Sequence, residues 1–386
     1  MPLSSRRSSR RSALAALAAG ALALGLAVAL APSAAAEPDS APPGPNLVPS
    51  LVSGRACPPA GYALSYSDSL NKLSYDGAQL GGLSSMAYDW RSLSWVSAVD
   101  NNGSDPARIW FYRNLANPTV WRDPLVLKQP DGTPYNGTDS DNEGLQVLPD
   151  GDYLVSSETE PSIRIFGRDG VQKAALPVPA RFAVTGSTPD GQATGNATLE
   201  GLAISPSGDE IVAAMEGALS GDVSGTGDAT MHRFLVYTAD RRGNWSLSKQ
   251  IAYQAGPGMR VPEVSFYNEN SFVVEEASYA PATGNEVQLY AVTGLNRAQD
   301  VGGIANLSGA GGAAVPKQLI ADLQQCPTLG ATSLETQANP LLDNFEGMAI
   351  TTPIGLFGYH GISLISDDNF SATQRTRILN LVVRLP

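Results

Sequence analysis

The chain has 386 residues, 25 Lys and Arg against 37 Asp and Glu, a net charge of −12, and only two His and two Cys. So acidic a chain is a poor partner for nucleic acid or an anionic membrane surface and a better one for cations. With so few His and Cys and no CxxC pair, a zinc site of nitrogen and sulfur ligands is excluded, and no G-x-S-x-G elbow, P-loop or dinucleotide fingerprint occurs.

The first 36 residues read as an export signal. Arg6, Arg7, Arg10 and Arg11 precede an apolar run from Ala13 to Ala31, and Ala34-Ala35-Ala36 supplies a small-residue cleavage site. Ser9-Arg10-Arg11 is a partial twin-arginine pattern. Cleavage near Ala36 leaves 21 basic and 37 acidic side chains, a charge of −16, on a chain expected outside the cytoplasm, secreted or at the cell surface, with no membrane span. Residues 37–54 are rich in Pro and Ser and read as a linker. Residues 55–386 are expected to form one domain, acting as a monomer. Cys57 lies in its N-terminal segment and Cys326 in a late loop, and an exported chain can pair them; the sequence leaves this open.

The body is built of short alternating or β-branched runs separated by Gly, Asp, Asn and Pro, the mark of an all-β fold. Asp150-Gly151 and Ser207-Gly208-Asp209 are strand-linking turns. The runs recur in sets of four. Such sets begin near Gly82-Leu83-Ser84, Asp141-Asn142-Glu143-Gly144-Leu145, Glu200-Gly201-Leu202, Pro262-Glu263-Val264 and Asn344-Phe345-Glu346-Gly347-Met348. This period is that of a β-propeller of five or six four-stranded blades. The last set has only three strands before the chain ends, so the strand near Tyr62 to Ser67 is expected to complete it and close the ring. A sixth blade has room between Glu276 and Asn344.

Antiparallel pairing puts the start of a blade's first strand, the end of its second and the start of its third at one end. That predicts three rim sets: Glu143, Glu158 and Arg164; Glu200, Glu216 and Arg233; Glu346, Asp367 and Arg377. Glu160 and Asp368 lie nearby as further acids. Crowded carboxylates need Arg partners, shared protons or a cation, and an oxygen-only set suits Ca²⁺. Glu143, Glu200, Glu346, Asp367 and Asp368 are the candidate Ca²⁺ ligands. Equally, each Glu–Arg pair can serve only to lock its blade. His360 sits in a loop and His232 stands alone, so a Ser–His–acid triad is disfavoured. The Gly-rich stretch between Glu216 and Arg233 reads either as a lid or as an unstructured loop.

The motifs Asp-Asn-Glu-Gly-Leu (141–145), Leu-Glu-Gly-Leu-Ala (199–203), Phe-Glu-Gly-Met-Ala (345–349) and Ser-Asp-Asp-Asn-Phe (366–370), with Ser-Glu-Thr-Glu-Pro-Ser-Ile-Arg-Ile-Phe (157–166), resemble those of the esterase-like phytase family. The resemblance spans about Gly61 to Pro386. It implies an exported propeller whose acids serve hydrolysis of a small-molecule phosphoester. On that view Glu158 or Glu160 is the general base, and Arg164, Arg233 and Arg377 hold phosphate. The fourth repeat departs from the pattern, with Val264 after Glu263 and Gln288 in place of Arg. The rival function is a non-catalytic, calcium-stabilised binding propeller at the cell surface.

Overall fold

A computed structural model describes residues 54–100, 103–187, 191–354 and 358–386, with side chains left aside at 352–354. The expected export signal and all but the last residue of the expected linker lie outside the described residues.

The strands form a β-propeller of five blades. Blade one comprises Ala87–Asp89, Ser94–Ala98, Arg108–Arg113 and Thr119–Val120, with Leu125–Val126 also pairing on its third strand. Blade two is Asn142–Val147, Tyr153–Ser157, Ser162–Phe166 and Gln172–Leu176, and blade three is Leu199–Ile204, Glu210–Met215, Met231–Ala239 and Trp245–Gln254. Blade four is Arg260–Asn268, Ser271–Ala280, Gly284–Thr293 and Lys317–Asp322. Blade five is Phe345–Ile354, Tyr359–Ser366 and Ile378–Arg384, completed by the N-terminal strand Gly61–Ser67 as expected. The turns at Gly151 and Gly208 fall where the sequence puts them, both with positive φ.

Among the described residues no sixth blade forms. The long interval holds the third and fourth strands of blade four and an excursion, 294–316, between them. That excursion lies along the outer strand of blade three, where Val301 N donates to Gln250 O and Val315 N to Ala252 O. The ring closes between Gly61–Ser67 and Ile378–Arg384. A further strand, Ala56–Cys57, extends the sheet, and Cys57 is disulfide-bonded to Cys326. Closure leaves no open sheet edge between first and last blades.

Adjacent blades pack through apolar faces. Leu148, Leu154, Leu202 and Leu235 belong to the cluster joining blades two and three, and Val273, Leu289, Met348 and Leu364 to that joining blades four and five. The repeated Glu-Gly pair has a geometric cause. A β-bulge interrupts the first strand pair at this point in blades two, three and five, bringing each glycine against the next blade. A Cβ on Gly144 would stand 2.5 Å from Glu200 O, one on Gly201 2.8 Å from Glu263 Cα, and one on Gly347 2.5 Å from the Ser85 carbonyl carbon. Only glycine allows that approach.

Candidate active site at the channel mouth

The bulges turn Glu143, Glu200 and Glu346 toward the mouth of the central channel, where they meet acids that follow the second strands: Asp100, Glu158, Glu216 and Asp367. Asp141 joins them from the approach to blade two. Carboxylate oxygens of Asp100, Asp141 and Glu143 lie within 4.8 Å of one another, and so do those of Glu143, Glu158 and Glu200. These two groups are placed to hold a metal ion.

Blade four contributes the opposite charge. Arg260 Nη1 lies 2.9 Å from Glu216 Oε1 and 3.7 Å from Glu200 Oε1, and Nη2 lies 3.1 Å from Glu346 Oε1. Nη2 also donates to Asn344 Oδ1 at 2.7 Å, and Asn344 in turn donates to Glu346. One guanidinium therefore compensates the acids of blades three and five. On the Asp100–Glu143 side, burial and neighbouring carboxylates act together. Burial pushes Asp100 up to about 11, with the Asp367 and Asp141 carboxylates adding to the shift. Asp100 also shares hydrogen bonds with both. Burial, then Glu200 and Asp100, hold Glu143 well above the usual range. Glu200 is raised by burial and by Glu216 and Glu158, and Asp367 by burial and Glu346. Glu158 reaches about 7, raised by burial and Glu216 and opposed by the Thr198 amide, which donates to Oε1 at 2.6 Å. Like charges crowded out of water favour the protonated form until a cation arrives.

The other expected residues lie elsewhere. Arg233 is fully buried; it grips both Asp222 oxygens at 2.6 and 2.8 Å and donates to Val301 O and Ile304 O. Arg377 is equally buried, pairing with Asp68 at 2.7 and 2.9 Å and donating to the carbonyls of Pro340, Leu341 and Thr332. Arg164 donates to Ser140 Oγ and stacks over Tyr135. None of the three pairs with the rim acid of its set. Pairing places them at the correct end of the blade, but a third strand stands two strand spacings, about 10 Å, outside the first. They staple loops instead. Arg233–Asp222 pins the Gly-rich stretch after Glu216, which is thus a built loop over its described length. Glu160 is 85% exposed and 3.8 Å from Arg164. Asp368 is buried under a Lys72 ion pair and the amides of Gly82 and Phe370, tying blade five to the approach of blade one.

The fourth repeat aligns two residues away from where its sequence suggests. Arg260 pairs with Ala277 and Glu263 with Glu275 across its bulge, as Leu199 pairs with Met215 and Leu202 with Ala213 in blade three. Val261 therefore occupies the rim-acid position, and Glu263 the place of a core leucine. Arg260 was not singled out in the sequence; the missing Gly after Glu263 was the available sign that this repeat slides.

A family model described as Phytase-like, esterase-like activity of phytase, matches residues 78–370. The chain belongs to this family. No curated protein matches it. Among solved structures, a Dyadobacter fermentans protein of unknown function is 10% identical, covering 86% of this chain and 100% of its own, with a TM-score of 0.42. The PQQ-bound aldose sugar dehydrogenase of Streptomyces coelicolor is 11% identical, over 84% of this chain and 99% of its own, with a TM-score of 0.34. The periplasmic gluconolactonase of Pseudomonas aeruginosa is 11% identical, over 80% and 87%, with a TM-score of 0.31. Among the described residues no helix is long and apolar enough to cross a membrane, and the disulfide suits an oxidising compartment.

Proposed function

We propose that this phytase-like propeller is an exported, metal-assisted hydrolase of a small-molecule phosphoester, working at the acidic channel mouth. The observation that carries the reading is the convergence of acids at the mouth. Arg260 stands among Glu200, Glu216 and Glu346, and Asp100, Asp141 and Glu143 converge within 4.8 Å as an all-oxygen donor set. Such a set fits a hard divalent cation of the Ca²⁺ class, which would neutralise phosphate charge. Of the ligands expected from the sequence, Glu143 and Glu200 lie in the two converging groups, Asp367 adjoins them through Asp100, Glu346 pairs with Arg260, and Asp368 pairs with Lys72.

The chain's own groups have separable tasks. Arg260, about one quarter exposed, is the guanidinium available to a phosphate oxygen at the mouth, in the role expected of Arg164, Arg233 and Arg377. Glu158, anchored by the Thr198 amide beside Glu143 and Glu200, is the carboxylate placed to take a proton from water. Glu160, the other candidate base, is exposed and lies beside Arg164.

The test is calorimetric Ca²⁺ titration of the purified protein, followed by a panel of phosphomonoesters and phosphodiesters with and without Ca²⁺. Binding with Ca²⁺-dependent turnover supports the reading, and absence of turnover on the whole panel overturns it. One observation favours the non-catalytic binding propeller: Arg260 already sits among three carboxylates, as a purely structural cation would. Ca²⁺ binding with no turnover selects that reading.

A further inference from the structure

Blade one carries, at its far end, a surface that the channel mouth does not use. Its first strand runs from the mouth to Asp89 and its second returns from Ser94, so residues 90–93 turn at the opposite end. Arg113 ends the third strand there, and Thr119 begins the outer one. Among the described residues six large hydrophobic side chains are exposed, and four of them stand on or beside these two connections: Tyr88 at 44%, Trp90 at 49%, Leu93 at 63% and Trp121 at 37%. Arg113 Nη2 donates to Ser92 O at 3.0 Å and joins the connections into one surface. Exposed apolar side chains are ordinarily scattered singly, and a cluster of them marks a contact.

The backbone of the turn points the same way. Leu93 has φ +51°, in the left-handed region. Asn or Gly takes such a turn position at little cost, and leucine does not. The turn thus holds a strained residue whose apolar side chain stands in water, which folding alone does not reward.

The surface is also basic. Arg91 stacks over Trp90 at 4.8 Å, Arg113 over Trp121 at 3.9 Å and Arg122 over Phe111 at 4.5 Å. Within residues 88–93 and 113–122 the one acid is Asp89, which has no exposed surface and accepts from Arg168 and Tyr153. Beyond them, Asp123 follows Arg122, and Arg91 lies against Gly151, next to Asp150. The far opening of the channel, bordered by Tyr88 and Trp95, has no Asp, Glu, Lys or Arg in its lining.

We propose that the far end of blade one docks on a lipid bilayer bearing anionic headgroups, with Trp90 and Leu93 entering the interface and Arg91, Arg113 and Arg122 meeting headgroup phosphates. Tryptophan and tyrosine favour the boundary between headgroups and acyl chains, and arginine is drawn to an anionic leaflet. A hydrated polysaccharide gives Leu93 no apolar surroundings, whereas that boundary does. The chain as a whole is acidic, but its acids gather at the other mouth. The six-residue third strand alone holds the two ends about 20 Å apart, beyond a Debye length of about 8 Å. Docked in this way, the acidic mouth stays open to solution. The inference does not depend on catalysis there.

The test is co-sedimentation of the purified protein with vesicles of phosphatidylcholine alone and of phosphatidylcholine mixed with phosphatidylglycerol, at low and high salt, with thermal unfolding followed alongside. Four proteins are compared: the unaltered chain, Trp90→Ser/Leu93→Asn, Arg91→Gln/Arg122→Gln, and the control Tyr279→Ser, which removes an exposed aromatic side chain from blade four. Asn suits the left-handed turn position, so the Trp90/Leu93 variant is expected to fold with an equal or higher Tm. The proposal predicts binding to the mixed vesicles that this variant weakens roughly 30-fold. The arginine variant loses the preference for the anionic lipid and its salt sensitivity, and the control binds as the unaltered chain does. An unaltered chain that binds neither vesicle overturns the proposal, as does equal binding to both lipid compositions, or a folded Trp90/Leu93 variant that binds undiminished. Binding to a soluble anionic polysaccharide, or a dimer in sedimentation velocity, that is lost in the Trp90/Leu93 variant while vesicles are not bound, overturns it in favour of that partner.

Discussion

Arg260 Nη1 lies 2.9 Å from Glu216 Oε1, and through that contact the fourth blade supplies the charge that the third blade's rim lacks. The same guanidinium reaches Glu346 in blade five, so three blades meet on one side chain. Arg260→Met should therefore destabilise the metal-free protein by about 2–3 kcal/mol, the cost of uncompensated, partly screened acids. Chemical denaturation in chelator would measure it. Ca²⁺ should recover part of the loss, and phosphoester turnover should disappear even at saturating Ca²⁺.

Glu143 belongs to both carboxylate groups at the mouth. Glu143→Gln keeps the shape and removes one charge. Ca²⁺-dependent turnover should fall at least 100-fold, while Tm in chelator stays the same or rises, because a raised, buried acid has been made permanently neutral. Unchanged turnover would remove the channel mouth from the mechanism.

Arg377 separates rim chemistry from stapling. It is fully buried against Asp68 and three carbonyls. Arg377→Ala should cost about 3–5 kcal/mol of stability, since it strands a carboxylate and several carbonyls. KM for a phosphoester should not change under conditions where the variant is folded. A KM effect without a stability effect would instead mark Arg377 as a substrate contact.

The glycine of each Glu-Gly pair should be sharply intolerant. On Gly201 a methyl group would meet backbone, Glu263 Cα at 2.8 Å, whereas on Gly225 it meets nothing within 4 Å. Gly201→Ala should lower stability by about 1–3 kcal/mol, with Gly225→Ala near neutral in the same urea melts.

Asp343 gives the pH dependence a sign. Burial raises it to about 7 against an ordinary 3.8, despite amide donors from Asn344 and Arg375. A folded value above the unfolded one means that the folded protein binds the proton more tightly. The penalty is therefore absent below about pH 4, grows through the interval, and is complete above about pH 7. In chelator, stability should fall as pH rises from 4 to 8, with Asp343 supplying up to about 4 kcal/mol of the change. Asp343→Asn should flatten that slope; the slope, rather than the absolute stability, is the readout.

Blades two, three and five were legible in the sequence because the Glu-Gly bulge leaves a fixed local signature: an acid for the channel and a glycine for the neighbouring backbone. Ring closure was legible too, from a last repeat one strand short. The roles of the strand-three arginines were not, because repeat spacing tells which end of a blade a residue reaches but not how far from the axis it stands. Arg233 and Arg377 reach the expected end and spend their donors on Asp222, Asp68 and loop carbonyls.

The sequence by itself determined the all-β propeller, its period, and the acids that converge on one rim, because alternation and turn chemistry act over a few residues. It left open the pairing of Cys57 with Cys326, joined across a separation of 269 residues, and the count of five blades. Only the tertiary structure decided which cation answers those acids and where blade four's own carboxylates go. Arg260 meets Glu216 and Glu346 from different blades, and Glu263 with Glu275 replaces an apolar pair through a shift in register. Both follow from how blades face each other across the channel, a distance that a one-dimensional repeat does not encode.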